Sequence, residues 1–321
     1  MGGQEVAATR SGISVVIPCY RTPGTLDRVC RELAEHVGPL TDELELVLVD
    51  DGSPDDTWER IVEAVDNHDW VRGLRLSRNY GQHNALLAGL RAASHPIIIT
   101  MDDDLQNPPS EVAGMLAALD DGVDLVYGTP AAEPQSRFRN LASVTTKRLM
   151  GKLLGPEVND KMSAFRVFRS RLLSGSARSN DPYVSIDVLL SWATTKVAVV
   201  EVDFARREEG TSGYTLSKLV RHAFNMVTGY STRPLRAVSA LGFVISSFGF
   251  ALLAYVLARF VIEPTDVEGF TFLAAAISLF SGVQLLSLGV VGEYLARMHF
   301  RTMGRPAYAV RDEIGSASAP E

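Results

Sequence analysis

The sequence predicts an α/β protein with an open, mostly parallel, doubly wound sheet, followed by two transmembrane helices. Short β-branched runs alternate with segments of helical spacing from residue 13 to residue 202, the pattern of parallel βαβ units. Acidic residues directly follow two of these runs, at the strand ends where open α/β sheets bind their ligands. Two uncharged stretches near the other end are each long enough to cross a bilayer.

The predicted elements follow one another with short connections, so right-handed crossovers join parallel strands. Asp55 or Asp56 is expected to cap the second helix. In chain order the elements are a strand at Ile13 to Pro18, a helix at Pro23 to Val37, a strand at Leu44 to Val49, a helix ending at Val65, a strand at Val71 to Leu76, a helix at Gly81 to Ala93, strands at Ile97 to Met101 and Val123 to Gly128, a helix near Tyr183 to Ala193, and a strand near Val197 to Val202.

Three carboxylates and an amide end the fourth strand: Asp102, Asp103, Asp104 and Gln106. Carboxylates two residues apart on an extended backbone point to the same side, so Asp102 and Asp104 could converge on one cation. Hard oxygen ligands of this kind suit Mg²⁺ or Mn²⁺. An acidic turn followed by a helix cap is the alternative interpretation. A Pro-Pro pair then predicts the start of a helix.

Composition excludes several classes of function. The net charge of -7 provides no bulk attraction to nucleic acid, so no nucleic-acid partner is expected. The two cysteines, Cys19 and Cys30, are expected to be reduced thiols, and the six histidines show no pair at zinc-ligand spacing. No Gly-x-Gly-x-x-Gly turn follows the first strand, which disfavours a dinucleotide-dependent reductase.

Basic residues cluster locally, in the segments Gln135 to Leu154 and Ala164 to Arg171 and at Arg206 and Arg207. A solvated basic face would explain any one cluster. Several clusters in an otherwise acidic protein favour a phosphate-bearing lipid as partner, because arginine matches phosphate geometry bidentately.

The stretches Ala237 to Ala258 and Gly269 to Gly292 predict two membrane spans. A buried hairpin of a soluble protein is the alternative. Arginines flank the outer ends and acidic residues dominate the short connection, so the positive-inside rule places both termini and the N-terminal domain in the cytoplasm at the inner (plasma) membrane. Small residues in both spans would allow packing between protomers, so a homo-oligomer is possible.

Residues 214–230 place apolar side chains on one helical stripe. This pattern predicts an interfacial helix on the bilayer, with a core helix of the N-terminal domain as the alternative. The expected organisation is a disordered tail at 1–12, a catalytic domain at 13–213, the interfacial helix at 214–234, a two-helix transmembrane hairpin at 235–298 and a cytosolic tail at 299–321.

Several motifs together resemble the inverting family 2 glycosyltransferases, in their polyprenyl-phosphate branch. The resemblance covers about residues 13 to 300 and includes the two spans. It is carried by Ile17-Pro18-Cys19-Tyr20, Val49-Asp50-Asp51-Gly52-Ser53-Pro54-Asp55-Asp56-Thr57, Ser77-Arg78-Asn79-Tyr80-Gly81, Met101-Asp102-Asp103-Asp104-Leu105-Gln106-Asn107-Pro108-Pro109 and Arg207-x-x-Gly210-x-Ser212-x-Tyr214.

The resemblance implies a GT-A fold and assigns roles to individual residues. The metal, Mg²⁺ or Mn²⁺, would be held against the donor diphosphate by Asp102, Asp104 and Gln106. Catalysis would rest on Asp102, Asp104 and Arg207. The nucleoside would be surrounded by Pro18, Tyr20, Asp50 or Asp51, Arg78, Asn79 and Gly81, with Asp102 beside it. The lipid phosphate would be received by Ser163, Arg169 and Arg207, with Arg137 or Arg139 compensating for an arginine that is Pro130 here.

The chain also departs from the family pattern. The acidic residue usual after the first-strand tyrosine is replaced by Arg21-Thr22, and Asp103 stands where a small residue is common. Gly213 replaces a lysine before the last motif tyrosine. The absence of a Gln-x-x-Arg-Trp motif argues against a processive polysaccharide synthase. No role is assigned to Asp103.

The sequence therefore predicts inverting transfer of a single sugar from a nucleotide diphosphate sugar to polyprenyl phosphate at the cytosolic membrane face. A UDP-hexose is the favoured donor, and GDP-mannose is possible. The acceptor phosphate is already largely anionic at pH 7, which agrees with the lack of an obvious general base. The alternatives are a glycosyltransferase acting on another membrane lipid or on a protein, and a catalytically silent membrane scaffold that binds nucleotide sugars.

Overall fold

The computed structural model describes residues 12–130, 163–174, 185–204, 233–262, 270–303 and 306–315. These residues fall into two compact units. The first contains the sheet, its flanking helices and residues 306–315, and the second contains two long helices. Within the first unit the elements are β1 (Ile13–Cys19), α1 (Leu26–His36), β2 (Leu44–Asp50), α2 (Thr57–Asn67), β3 (Val71–Leu76), α3 (Gln82–Ala92), β4 (Ile97–Thr100), α4 (Val112–Ala117), β5 (Leu125–Pro130), β6 (Arg166–Arg169), α5 (Ile186–Ala193), β7 (Val197–Val202) and β8 (Val310–Ile314).

The eight strands described form one sheet in the order β7-β5-β6-β4-β1-β2-β3-β8. The pairs β1–β2, β1–β4, β2–β3 and β5–β7 are parallel. β6 runs antiparallel to β4 and β5, and β8 runs antiparallel to β3. The prediction of a mostly parallel α/β sheet is confirmed.

In the first unit, the predicted strands and helices are found within three residues of their expected ends. From the second proline of the Pro-Pro pair the chain forms a 3-10 turn, Pro109–Glu111, and then α4. The second helix begins after Asp56, but the carboxylate that bonds its first turn is that of Asp55, which accepts the Thr57 hydroxyl at 2.7 Å. The sequence prediction missed β6, which it treated only as a basic cluster, and β8, which it placed in a tail.

The sheet is buried on both faces because alternate residues of its central strand face two separate clusters. Val15 and Ile17 of β1 pack with residues of α1, α2 and α4 on one face. Val16 packs with residues of α3 and α5 on the other. Gly89 allows the close approach of α3, since a Cβ there would lie 2.4 Å from a Val16 methyl. This two-sided burial explains why β1 reads as a continuous apolar run.

The register of the central strands brings their carboxyl ends to one edge of the sheet. Cys19 of β1 pairs with Asp50 of β2, and Val16 pairs with Thr100 of β4. The three segments that follow these strands are therefore neighbours, and the Asp51 N–H donates to the Cys19 carbonyl oxygen at 2.9 Å.

The second unit contains α6 (Arg233–Ile262) and α7 (Phe270–Thr302). Large apolar side chains along both helices are exposed, among them Phe243, Phe250 and Leu285. Among the residues that the structure describes, no helix combines the length and the apolar character needed to cross a membrane. The two predicted spans stay a prediction. The predicted tail at 1–12 lies almost wholly outside the described residues, and so does the interfacial helix at 214–234.

A buried ion pair lies on the side of the sheet away from the carboxyl ends of the central strands. Glu45 is 6% exposed and accepts hydrogen bonds from Ser14, from the N–H and hydroxyl of Ser94, and from Arg72 at 2.8 Å. Arg72 also binds Glu313 of β8 at 3.0 Å. Burial raises the pKa of Glu45, but the hydrogen bonds outweigh it and the net pKa lies below the ordinary value.

We expect Glu45→Gln to lower the free energy of unfolding at pH 7 by about 2 kcal/mol, since it removes charge-assisted hydrogen bonds. A carboxyl whose pKa is depressed by folding stabilises the protein above its unfolded pKa and loses this effect as pH falls through its folded pKa. The difference between wild type and variant should therefore shrink below about pH 4.5. Urea unfolding of the full chain at several pH values measures it, with exposed Glu43→Gln as control. A deficit that stays constant at acid pH would contradict this account.

Candidate active site

A cavity of about 290 Å³ opens at the carboxyl ends of β1, β2 and β4. It collects most of the residues that the sequence analysis proposed for nucleotide and metal binding, together with Cys19, Gln82 and Asp103. The lining residues are Pro18, Cys19, Tyr20, Asp51, Asn79, Gly81, Gln82, Asp102, Asp103 and Asp104.

The three consecutive carboxylates have different partners. Asp102 accepts a hydrogen bond from the side-chain amide of Gln82 at 2.6 Å. Asp103 accepts one from the Thr22 hydroxyl. Asp104 accepts the backbone N–H of Gln106 at 3.1 Å and its side-chain amide at 2.8 Å. Leu105, between them, has a φ of 56°, and this left-handed turn folds Gln106 back onto Asp104.

The donor set of this edge fits a divalent cation of the Mg²⁺ or Mn²⁺ class. Asp102 and Asp104 line the same cavity, and Gln106 contacts Asp104. Within the described part of the chain, no group of three or more histidine, cysteine, aspartate or glutamate side chains could hold a metal ion by itself. One or two carboxylates completed by substrate phosphates are the usual protein contribution to such a site.

The electrostatics of the triplet also favour a cation. Burial raises the pKa of Asp103 to about 6, with further upward contributions from the charges of Asp102 and Asp104, although the Thr22 hydrogen bond acts in the opposite direction. Like charges so close together repel one another, and a nearby cation relieves this repulsion.

Asp51 holds the loop between β3 and α3 in place. Its carboxylate accepts the N–H groups of Tyr80 at 2.7 Å and Gly81 at 2.8 Å. Burial raises the pKa of Asp51, and these two bonds oppose that rise. The neighbouring Gly52 has a φ of 65°, and a Cβ there would lie 2.4 Å from the carbonyl carbon of Arg78. The loop therefore lies directly on the end of β2.

The structure distinguishes the two aspartates proposed for the nucleoside. Asp50 is fully buried, accepts the Ser53 N–H at 2.8 Å and lies 3.5 Å from Arg75. Burial raises its pKa, while its hydrogen bonds to Ser53 and the charge of Arg75 lower it. Asp50 does not line the cavity, whereas Asp51 does.

Arg78, also proposed for the nucleoside, is exposed and lies over the Tyr80 ring, 4.6 Å from its centroid. It is not among the cavity-lining residues, although Asn79 and Gly81 of the same loop are.

The residues proposed for the acceptor phosphate are described only in part. Ser163 precedes β6 and accepts the Phe165 N–H at 3.2 Å. Arg169 pairs with Ile97 at the amino end of β4 and donates to the carbonyl oxygens of Leu119 and Asp120. The structure therefore does not bring Arg169 to the carboxylate triplet. Arg137, Arg139 and Arg207 lie outside the described residues.

A buried ion pair next to the end of β4 was missed by the sequence analysis. Arg166 is 3% exposed, binds both carboxylate oxygens of Asp187 at 2.8 and 2.9 Å, and donates to the Thr100 hydroxyl at 3.1 Å. The signal that could have found it is Asp187 itself, a single acid in the apolar helix α5. Thr22 and Gln82 gave no sequence signal, because their partners lie 81 and 20 residues away.

The fold is shared with solved protein structures. The chain is similar to glucosyl-3-phosphoglycerate synthase from Mycobacterium tuberculosis in complex with Mn²⁺, UDP and glucosyl-3-phosphoglycerate, with a TM-score of 0.52, 20% identity, and coverage of 71% of this chain and 83% of that one. The same enzyme in complex with phosphoglyceric acid gives a TM-score of 0.50 and 22% identity over the same shares. At this identity the likeness shows a common GT-A-like fold.

Sequence comparison extends the likeness over nearly the whole chain. It is 33% identical over 308 residues to the undecaprenyl-phosphate 4-deoxy-4-formamido-L-arabinose transferase of Proteus mirabilis (strain HI4320), covering 94% of each chain. The enzyme of the same name from Salmonella choleraesuis (strain SC-B67) is 33% identical over 319 residues, covering 98% of this chain and 97% of the other. Residues 14–175 match the family described as Glycosyl transferase family 2. The motifs, the sheet and the carboxylate edge thus agree with these comparisons, and the chain belongs to glycosyl transferase family 2.

Proposed function

We propose that this protein transfers one sugar from a nucleotide diphosphate sugar to polyprenyl phosphate, with inversion at the anomeric carbon. The observation that carries the proposal is the cavity in which Tyr20, Asp51, Asp102 and Asp104 meet at one edge of the sheet. The near full-length similarity to transferases named for undecaprenyl phosphate supports a polyprenyl-phosphate acceptor.

The donor is a nucleoside diphosphate sugar, with UDP favoured as the nucleotide. A solved structure of the same fold holds UDP together with Mn²⁺, which supports this choice, and GDP-mannose remains the second candidate. In this proposal Pro18, Tyr20, Asp51 and the loop at Asn79 and Gly81 contact the nucleoside. The relatives' name also makes a modified amino sugar a donor to test.

A divalent cation would be held by Asp102 and Asp104 with Gln106. When bound it neutralises charge that develops on the departing diphosphate. The chain's own residues orient the groups around it: Gln82 holds Asp102, and Gln106 contacts both oxygens of Asp104. Such fixed geometry lowers the cost of aligning the reacting groups.

The attacking group is a negatively charged oxygen of the acceptor's phosphate. A phosphate monoester has a second pKa near 6 and is largely dianionic at pH 7, so its attack needs no strong general base. In-line attack forms the new carbon–oxygen bond while the bond to the nucleoside diphosphate breaks, which inverts the anomeric centre. We assign the lipid phosphate to Ser163 with Arg137, Arg139 and Arg207.

The first unit, which contains the sheet, is proposed to lie at the cytosolic face of the inner membrane, with both termini cytoplasmic. The uncharged stretches within α6 and α7, their exposed apolar side chains and the arginines at their outer ends support this proposal. The small residues of both helices would allow protomers to pack together.

Assaying labelled UDP- and GDP-sugars with polyprenyl phosphate and with diacylglycerol, side by side, tests the function. We expect a metal-dependent product with polyprenyl phosphate and none with diacylglycerol. Transfer to diacylglycerol alone would identify a different lipid acceptor. Tight donor binding without turnover on any acceptor would identify a silent binding protein and contradict the proposal.

Asp104→Asn should lower metal-dependent turnover by about 100-fold or more, because it removes a charged ligand where transition-state charge develops. Its melting temperature should stay close to that of wild type. Turnover over a range of Mn²⁺ concentrations and thermal unfolding measure the two effects. Asp121→Asn, an exposed carboxylate outside the cavity, is the matched control. Near wild-type turnover of Asp104→Asn would remove this residue from the site.

Gly52→Ala should weaken binding of the donor nucleotide by about tenfold or more, since its Cβ would displace the Arg78–Gly81 loop. Titration calorimetry with UDP and with GDP in the presence of Mn²⁺ measures the change. Gly38→Ala is the control, because a Cβ there meets no atom within 4 Å. Unchanged nucleotide affinity would show that this loop does not contact the donor.

A further inference from the structure

The segment Tyr20–Thr22, called here the tyrosine loop, is held by side chains from the segments that follow β2 and β4. The Arg21 N–H donates to the Ser53 hydroxyl oxygen at 3.2 Å, and the Thr22 N–H donates to the Thr57 hydroxyl oxygen at 3.1 Å. The Thr22 hydroxyl donates to Asp103. Asp103 therefore holds the last residue of the loop through its side chain.

The tyrosine loop has a conformation that requires such support. Arg21 has a φ of 60°, a left-handed conformation that costs free energy for a residue with a side chain and persists only where its surroundings impose it. The loop carries Tyr20, which is 41% exposed and lines the cavity. Hydrogen bonds that hold this loop therefore determine where the Tyr20 ring lies.

The three carboxylates that follow β4 have two kinds of hydrogen-bond partner. Asp102 and Asp104 are oriented by the glutamine amides of Gln82 and Gln106. Asp103, between them, is oriented by a hydroxyl from the end of β1. Its carboxylate thus links the metal-side residues to the nucleoside side of the cavity.

We propose that Asp103 is a positioning residue: through Thr22 it fixes the tyrosine loop against the donor nucleoside, and it is not a ligand of the metal. This inference rests on the proposed function, since it assigns the nucleoside to the Tyr20 side of the cavity. Donor affinity then depends on the hydrogen bond between Thr22 and Asp103. The rate of the chemical step and the affinity for the metal do not depend on that hydrogen bond.

Four variants test the pair: Asp103→Ala and Thr22→Val remove the contact, while Asp103→Asn and Thr22→Ser retain an acceptor or a hydroxyl. Loss of one hydrogen bond to a charged group should weaken UDP or GDP binding, whichever the wild type binds more tightly, about tenfold. The double variant Thr22→Val with Asp103→Ala should lose no more than either single variant, because both remove the same interaction. The retaining variants should stay within about threefold of wild type.

Three measurements on the full chain separate the outcomes: nucleotide binding by calorimetry at saturating Mn²⁺, Mn²⁺ binding alone by electron paramagnetic resonance, and the split between kcat and donor KM. In Thr22→Val, Mn²⁺ affinity and kcat should change less than about twofold. In Asp103→Ala, the loss of one nearby charge should lower Mn²⁺ affinity far less than the loss of a metal ligand does in Asp104→Asn. Thr41→Val, whose hydroxyl bonds to Glu43 away from the cavity, is the control. Wild-type nucleotide affinity in Asp103→Ala, or a loss of Mn²⁺ affinity equal to that of Asp104→Asn, would overturn the inference.

The nucleotide titrations decide this inference without any acceptor. If no sugar is transferred to polyprenyl phosphate, the proposed function fails while the titrations still report on Asp103. If transfer occurs and the titrations show no coupling between Thr22 and Asp103, the inference fails alone.

Discussion

The parallel register of β1, β2 and β4 is the constraint on which the rest of the site depends. Because of this register, the three strands end at the same edge of the sheet. The segments after Cys19, Asp50 and Thr100 therefore lie close together. Backbone N–H groups in such a space need partners, since an unpaired buried donor costs about 1–3 kcal/mol. They find them in one another's side chains: Asp51 accepts Tyr80 and Gly81, and Ser53 accepts Arg21. The polar groups of the site are thus also the groups that hold its loops together.

This arrangement concentrates negative charge, and the protein compensates each carboxylate differently. Asp50 is paired with Ser53 and Arg75 inside the sheet, and Asp51 accepts two backbone N–H groups. Asp102 and Asp104 receive hydrogen bonds from neutral amides at the cavity wall. A neutral amide orients a carboxylate without neutralising it, so Asp104 remains suited to a cation. Asp50 is paired with a cation and Asp104 is available to bind one, and this difference comes from their hydrogen-bond and charge partners.

The apolar runs predicted the central strands, because burial on both faces makes those strands continuously apolar. Once β4 was recognised in this way, the carboxylates directly after it, Asp102 and Asp104, could be proposed as site residues. The strands β6 and β8 were missed because their sequences, Arg-Val-Phe-Arg and Val-Arg-Asp-Glu-Ile, carry charges that look solvent-exposed. In the fold Arg166 is neutralised by Asp187, and Glu313 binds Arg72. Contacts over such sequence separations leave no local pattern. Arg169 was proposed for the acceptor phosphate from its place in a motif. A motif does not show to which end of β4 an arginine of the neighbouring strand is paired, and Arg169 pairs at the amino end.

The strand β8 adds a second support for the loop that Asp51 holds. The Ser77 N–H donates to the Ala309 carbonyl oxygen at 2.9 Å, and Tyr308 lies under the Arg91 guanidinium, 5.4 Å from the ring centroid. The loop between β3 and α3 is therefore anchored by Asp51 within the cavity and by the segment before β8 at the edge of the sheet. Residues 306–315 follow α7 in the chain but belong to the first unit, which contains the sheet. Because β8 pairs along β3 from Gly73 to Leu76, it supports the strand that leads into the loop carrying Asn79 and Gly81.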